Sequence, residues 1–319
     1  MGIKKRINAI GKITSNEHIP MNNLFNRTSF FIPLQLRERN EKIKEGKPYI
    51  FDDGKHYSLE MHGSKLNHTI DYPLLALIIK HWLNARDENG EFINTIQMDL
   101  SDINELIKPA TKGGKKSEKQ DKIKASLIRL CSSVVCFESP SGRSDEMSPV
   151  LSFAKLDYKN KCVKVEVSRL LIKLYNDKTK IFRSDFKYMN IEKIYKAPSE
   201  TSKALMKYFM TQDKRFIDFK LARLENVLGY QFKEKPLKPK VIRKNIINAL
   251  DELVECKFLT VYQPEEVPVN KGWEQIRIIP ASLCEDLEKA KGLLKTMESN
   301  YALIKQHHTL NILNDEVPF

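Results

Sequence analysis

The sequence lacks the features that announce metal binding, export or catalysis. Its five cysteines, Cys131, Cys136, Cys162, Cys256 and Cys284, include no CxxC pair and have no companion histidines at zinc-finger spacing. An odd, scattered set argues against a disulfide framework and predicts reduced thiols in a cytoplasmic protein. The basic start, Met1-Gly2-Ile3-Lys4-Lys5-Arg6, runs into Asn8, Lys12 and Asn16 without a long apolar stretch, so neither a signal peptide nor a membrane span is expected there. Arg6 stands where myristoylation of Gly2 needs Ser or Thr. Gly113-Gly114-Lys115-Lys116-Ser117 misses the leading glycine of a phosphate loop and is a basic turn. His56, His62 and His68, near Asp52 and Asp53, recur at a six-residue spacing that suits neither a helical face nor a metal-ligand motif. No His-x-His pair is present, and no stretch has a Ser/His/Asp or paired-carboxylate arrangement. The expectation is a non-enzyme without metal or cofactor.

What the chain has in excess is positive charge. Lys and Arg number 54 against 41 Asp and Glu, for a formal net charge of +13 and an isoelectric point near 9.3. That balance favours a polyanionic partner: DNA, RNA or an anionic membrane. With 41% hydrophobic residues the chain can still build a core, so the surplus charge belongs on a surface and global disorder is not expected. A length of 319 residues exceeds one small module and predicts two compact domains with tails.

Residues 1–65 show no clear period and are expected to form a partly ordered N-terminal arm, in which Ser29-Phe30-Phe31-Ile32-Pro33 docks on the first domain or on a partner. From Asp71, Leu74, Leu75, Leu77, Ile78, Trp82 and Leu83 recur at helical spacing and stop at the turn Asp87-Glu88-Asn89-Gly90. A short strand around Phe92, Ile93, Thr95 and Ile96 and a helix through Ile103, Leu106 and Ile107, ending before Pro109, come next. A lysine-rich loop and a third helix with Ile123, Leu127, Ile128 and Leu130 follow, then a strand from Val134 to Phe137. Val150–Tyr158 and Cys162–Val167 pair across Lys159-Asn160-Lys161, with Val163, Val165 and Val167 alternating with Lys164 and Glu166. Helix, strand, helix, helix and hairpin is the order of a winged helix.

The order returns downstream. Ser199 or Thr201 caps a helix through Leu205, Met206, Tyr208, Phe209 and Met210. A strand at Phe216, Ile217 and Phe219, a helix Leu221–Leu228 stopped by Gly229, a helix Val241–Val254 and a hairpin of Leu259–Tyr262 with Gln275–Ile279 complete it. The expected fold is α+β, mainly helical, with two tandem winged-helix domains at 66–180 and 181–281 and a C-terminal helical extension at 282–319. In that extension Leu287, Leu293, Leu294, Met297 and Leu303 recur at helical intervals and are expected to pack on the second domain.

The helix from Val241 to Val254 carries the most chemistry. Ile242, Ile246, Ile247, Leu250, Leu253 and Val254 define one apolar stripe. Lys240, Lys244, Asn245 and Asn248 fall off it, and Arg243 sits at its edge. Lys235, Lys238, Lys240, Arg243 and Lys244 crowd the N-terminal end while Asp251, Glu252 and Glu255 lie at the C-terminal end, opposite to what the helix dipole favours. A recognition helix enters the major groove by its N-terminal half, where Lys and Arg meet phosphate or guanine and Asn can bond adenine. An ordinary solvated face is the alternative. In the first module Lys115, Lys116, Lys119, Lys122, Ser126 and Arg129 are expected to meet phosphates, Lys122, Ser126 and Arg129 lying opposite the Ile123/Leu127/Leu130 stripe. Asn270, Lys271 and Trp273 lie in the second hairpin where a wing touches DNA, Trp273 serving equally well as a cover of the core edge.

Across most of its length the chain resembles plasmid replication initiators of the TrfA and RepA type. The resemblance is carried by Ile19-Pro20, Arg27-Thr28-Ser29-Phe30, the helix from Asp71 to Leu83, Lys124 to Leu130, Pro198 to Phe209 and Lys220 to Gly229. It implies tandem winged helices that bind repeated sites (iterons) at an origin, opening of an adjacent A·T-rich region and recruitment of the host helicase and initiator proteins. It also implies exchange between a homodimer and a DNA-binding monomer, and no membrane. The lysine-rich loop after Ile107 and the extension past Pro280 depart from the family pattern. The rival expectation is a winged-helix transcriptional regulator that binds an operator as a dimer; a nicking enzyme is the third.

Overall fold

The computed structural model of the chain describes residues 13–34, 42–43, 47–52, 58–85, 93–106, 116–138, 145–176, 186–212, 218–233, 236–266 and 273–296. It divides into two compact units, Met1–Thr211 with Glu225–Leu237, and Gln212–Leu224 with Lys238–Phe319.

Unit 1 contains β1 (Ile19–Asn22) and α1 (Asn23–Arg27), which Asn22 caps by accepting a hydrogen bond from the Leu24 amide. Ile19, Met21, Leu24, Phe25, Phe30 and Phe31 have no exposed surface. The Phe25 ring packs edge-on against Phe30 at 5.0 Å and Phe31 at 6.1 Å between centres. Phe30 and Phe31, expected to dock on a domain or a partner, are thus core residues of this unit. The stretch has no period because water meets none of its faces, and amphipathic periodicity arises only where one face stays wet.

Two further strands, β2 (Tyr49–Asp52) and β3 (Ser58–His62), lead to α2 (Asp71–Asn84). This helix is buried without interruption from Asp71 to Ile79, as a helix apolar on all sides must be. Its buried Trp82 meets Tyr175 edge-on at 5.5 Å. β4 (Thr95–Asp99), α3 (Leu100–Leu106), α4 (Lys116–Ser132), β5 (Val134–Glu138), β6 (Asp145–Pro149), β7 (Leu151–Asp157) and β8 (Cys162–Val167) come next. They are followed by α5 (Arg169–Asn176), β9 (Phe186–Met189), α6 (Ile191–Lys196) and α7 (Glu200–Met210). α7 opens on a capping box in which Ser199 and Ser202 exchange hydrogen bonds with each other's backbone.

Among the described residues the pairings in unit 1 are antiparallel, in sheets of order β2-β3-β5-β6, β4-β8-β7 and β1-β9. Val163, Val165 and Val167 of β8 are buried while Lys164 and Glu166 are exposed, as their alternation predicts. The four-stranded sheet is not among the sequence expectations, because two of its strands lie in the stretch read as an arm. The unit also buries basic groups. Lys207 of α7 has no exposed surface; its Nζ donates to the Phe25 carbonyl at 2.6 Å and lies 5.1 Å from the Tyr72 ring centre. Burial drives its pKa well below the ordinary lysine value. Burial, and then the nearby Lys207, holds His68 well below the ordinary histidine value, so its imidazole is neutral.

Unit 2 holds β10 (Asp218–Lys220), the start of α8 (Leu221–Val227), α9 (Pro239–Glu255), β11 (Leu259–Glu266), β12 (Trp273–Pro280) and helical residues 287–296. Its sheet, β10-β12-β11, is antiparallel. Arg277, only 4% exposed, forms an ion pair with Asp218 across the β10-β12 pair, Nε to Oδ1 3.0 Å. Ile279 clusters with Ala290 and Leu294 of the last helix, with Val261 and Cys284 against them. Both units are mixed α/β.

Candidate nucleic-acid interface

α9 begins on Pro239, whose fixed φ suits the first helical position, after Lys238 at the N-cap. Its buried residues are Ile242, Ile246, Ala249, Leu250 and Leu253. Ile247 and Val254, expected on the stripe, are half-buried at its edges. Lys238, Lys240, Lys244 and Asn248 are exposed, and Arg243 and Asn245 half-buried. No side chain bonds the N-cap, no acid lies in the first turn and no base in the last. The positive end of the helix dipole and the lysines therefore present positive potential at one end of the helix, an arrangement suited to an anion. At the other end Asp251 accepts a hydrogen bond from the Tyr262 hydroxyl at 2.5 Å. Burial and that bond push the Tyr262 pKa up.

The first module is different, and part of its expected contact set is corrected. Lys122 is exposed, but Ser126 and Arg129 are buried. Arg129 bonds the fully buried Asp71 through Nη2 at 2.7 Å and Nε at 3.0 Å, and Ser126 Oγ donates to the same carboxylate at 2.6 Å. The Asn67 amide and side chain complete that shell. Burial pushes the Asp71 pKa up, while these donors, Arg129 foremost, pull it back. Ser126 and Arg129 thus fasten α4 to the start of α2 and present nothing to a phosphate. The helical wheel erred because it turns every polar residue outward, whereas a buried carboxylate inverts the rule. On the outer side stand Lys124 and Ile128, the latter 57% exposed. Lys116 and Lys119 lie on α4 without described side chains; Lys115, and Lys271 with Asn270, lie outside the described residues.

Sequence reasoning also passed over the β7-β8 hairpin tip. Asp157 accepts hydrogen bonds from the Asn160 amide and side chain, both at 2.9 Å, and Lys161 takes a left-handed φ of 52°. Tyr158, Lys159 and Lys161 are exposed on this tight turn. Below it Lys155 and Lys164 face each other across the strands, a like-charge pair that costs stability unless an anion lies against it. The signal was present in Lys159-Asn160-Lys161, which sequence reading used only as a turn. His62 Nε2 lies 3.5 Å from a Glu60 carboxylate oxygen, and among the described residues no group of three His, Cys, Asp or Glu side chains is placed to hold a metal ion.

No family model matches the chain, and no curated protein matches it in sequence. Among solved structures it is similar to the second and third domains of RctB, with a TM-score of 0.49 and 14% identity over 78% of this chain and 94% of that one. It is also similar to the Pi initiator protein solved in complex with iteron DNA, with a TM-score of 0.46 and 11% identity over 69% of this chain and 97% of that one.

Proposed function

We propose that the chain is a plasmid replication initiator that binds repeated duplex sites through two winged-helix modules, α9 acting as a recognition helix. The observation that carries the reading is the surface of α9, where Lys238, Lys240 and Lys244 stand exposed over a first turn without an acid. Stability alone disfavours that polarity, and the phosphate backbone of DNA rewards it. The strand orders support the modular part of the reading. In β4-β8-β7 and in β10-β12-β11 a short strand ahead of a helix pair joins the second strand of a later hairpin.

In this proposal Lys240, Arg243 and Lys244 meet phosphate or guanine and Asn245 and Asn248 reach base edges, while Lys122, Lys159 and Lys161 hold phosphates. Covalent linkage of the modules raises the effective concentration of the second at an occupied site. Occupancy of several repeats strains the duplex, most cheaply at flexible pyrimidine-purine steps, and host replication proteins load at the opened region.

The test is a gel-shift series on DNA flanking the gene, at rising salt, with wild type and a Lys240→Ala/Arg243→Ala/Lys244→Ala variant. The reading expects ladders on repeated sites that vanish in the variant. Weak binding to any DNA, indifferent to the variant, would overturn it. Transformation then separates an initiator, which supports replication of an origin plasmid, from a dimeric regulator, which does not.

A further inference from the structure

The three-stranded sheet β4-β8-β7 of unit 1 has one dry face and one wet one. Ile96 and Met98 of β4 and Val163 and Val165 of β8 are buried on the inner side, so the residues that alternate with them point outward. The strand register sets these outward residues in two adjacent rows. Phe153, Glu166 and Thr95 form one row, and Lys155, Lys164 and Gln97 form the next. All six are exposed. Residues directly opposite each other on paired strands have Cβ atoms about 4.5–5.5 Å apart, and neighbours along one face of a strand are about 7 Å apart. The Phe153 ring therefore stands beside two ammonium-bearing side chains.

Phe153 leaves 49% of its surface in water, and Tyr158, at the tip of the same hairpin, leaves 50%. Among the described residues neither ring packs on another ring, and neither Lys155 nor Lys164 is held in an ion pair. Asp157, which feels the charge of Lys155, spends its oxygens on Asn160. Folding gains nothing from this arrangement. The facing lysines repel each other, and the ring keeps apolar surface in contact with water. A DNA duplex would answer only half of it, since its phosphates suit the lysines while its base faces are closed against one another. A single strand offers both a phosphate for each ammonium group and an unpaired base for the ring. Glu166 repels a phosphate from the row of Phe153, which steers the backbone to the lysine row and leaves the ring to a base.

We propose that the outer face of β4-β8-β7 binds a single strand of nucleic acid, with one base stacked on Phe153, a further base on Tyr158 and the phosphates between them on Lys155 and Lys164. DNA and RNA strands share this chemistry. The proposal stands on unit 1 and does not depend on the role of α9.

The experiment is fluorescence anisotropy of the full chain with labelled oligo(dT), with oligo(U), with an abasic strand and with a duplex, all of one length, repeated on Phe153→Thr and on Lys155→Thr/Lys164→Thr. The wild type should bind oligo(dT) several times more tightly than the abasic strand, which has the same phosphates and no bases. Phe153→Thr should lower the oligo(dT) affinity about tenfold and leave the abasic strand and the duplex unchanged. The lysine variant should weaken both single strands and lower the salt slope by about 1.4, at about 0.7 for each phosphate on a single strand. It should melt at or above the wild-type temperature, because the repulsion is gone and threonine suits a strand. Equal affinity for oligo(U) supports a site for either nucleic acid, and a preference for oligo(dT) supports one for DNA. The proposal is overturned if the abasic strand binds as tightly as oligo(dT), if Phe153→Thr loses no oligo(dT) affinity, or if that variant loses duplex affinity to the same extent. The readout is on single strands and that of the α9 test on duplex repeats, so the two readings fail separately.

Discussion

Arg129 and Asp71 are both buried, so neither can lose the other without leaving a charge in the core. Breaking such a pair costs about 3–5 kcal/mol. Urea unfolding of Arg129→Ala should show a loss of that order, and replacing both residues with apolar ones should recover most of it. Unchanged stability with weakened DNA binding would return Arg129 to the surface role its sequence position suggested. His68 makes a second prediction at this scale. Because its folded pKa is depressed, the unfolded chain takes up a proton first as pH falls, so its contribution is complete above the ordinary histidine value and is lost below it. The loss has a slope of at most about 1.4 kcal/mol per pH unit. The wild-type urea midpoint should drop between pH 7.5 and 5.5 more than that of His68→Phe, whose ring keeps its packing against Phe31 and Tyr72. Equal drops would mean that His68 takes up its proton as readily in the folded chain as in the unfolded one. Neither residue's role was legible in the sequence, since Asp71 lies far along the chain from Arg129 and the aromatic cage is assembled from separate elements.

At the scale of elements, α9 was legible almost residue by residue because one face is wet and one dry. Its apolar spacing gave the stripe and the charge order its unusual polarity, while the helix starts at Pro239, two residues before the Val241 expected from the sequence. That polarity separates stability from function. Lys240→Glu places an acid in the first turn, where the helix dipole favours it by about 0.3–1 kcal/mol. The variant should melt at or above the wild-type temperature and yet lose the iteron ladder; a lower melting temperature would show that Lys240 serves the fold. The β7-β8 hairpin makes the complementary case, since the proposed function has its exposed tip lysines hold phosphates without reading sequence. Lys159→Ala with Lys161→Asn, asparagine being tolerant of the left-handed φ, should weaken binding evenly across sequences. The slope of log affinity against log salt should fall by about 2, one for each phosphate that is no longer neutralised. An unchanged slope would remove the hairpin from the interface.

For the whole molecule, the sequence placed the hairpins and the two chemically distinct helices, and it misjudged the segment that no local pattern describes. Residues 19–31 look like an arm because burial on every side erases periodicity, yet Asn22 donates to the Leu174 carbonyl, Lys207 to that of Phe25, and Tyr175 to that of Pro20. Long-range bonds of this kind join the first strand to elements more than a hundred residues away, and no window of sequence contains both ends. If the segment is core, a chain beginning at residue 35 loses Ile19, Met21, Leu24, Phe25, Phe30 and Phe31 from the interior. At about 1.5–3 kcal/mol for each large apolar side chain, that loss rivals the roughly 5–15 kcal/mol that holds a typical domain. In a Trp273→Phe background the fluorescence of Trp82 reports on this core, because Trp82 is fully buried in α2. The shortened chain should show water-exposed emission and no cooperative transition in urea. Blue-shifted emission with a cooperative transition would instead make the segment a strap laid on a unit that folds without it, as the sequence alone suggested.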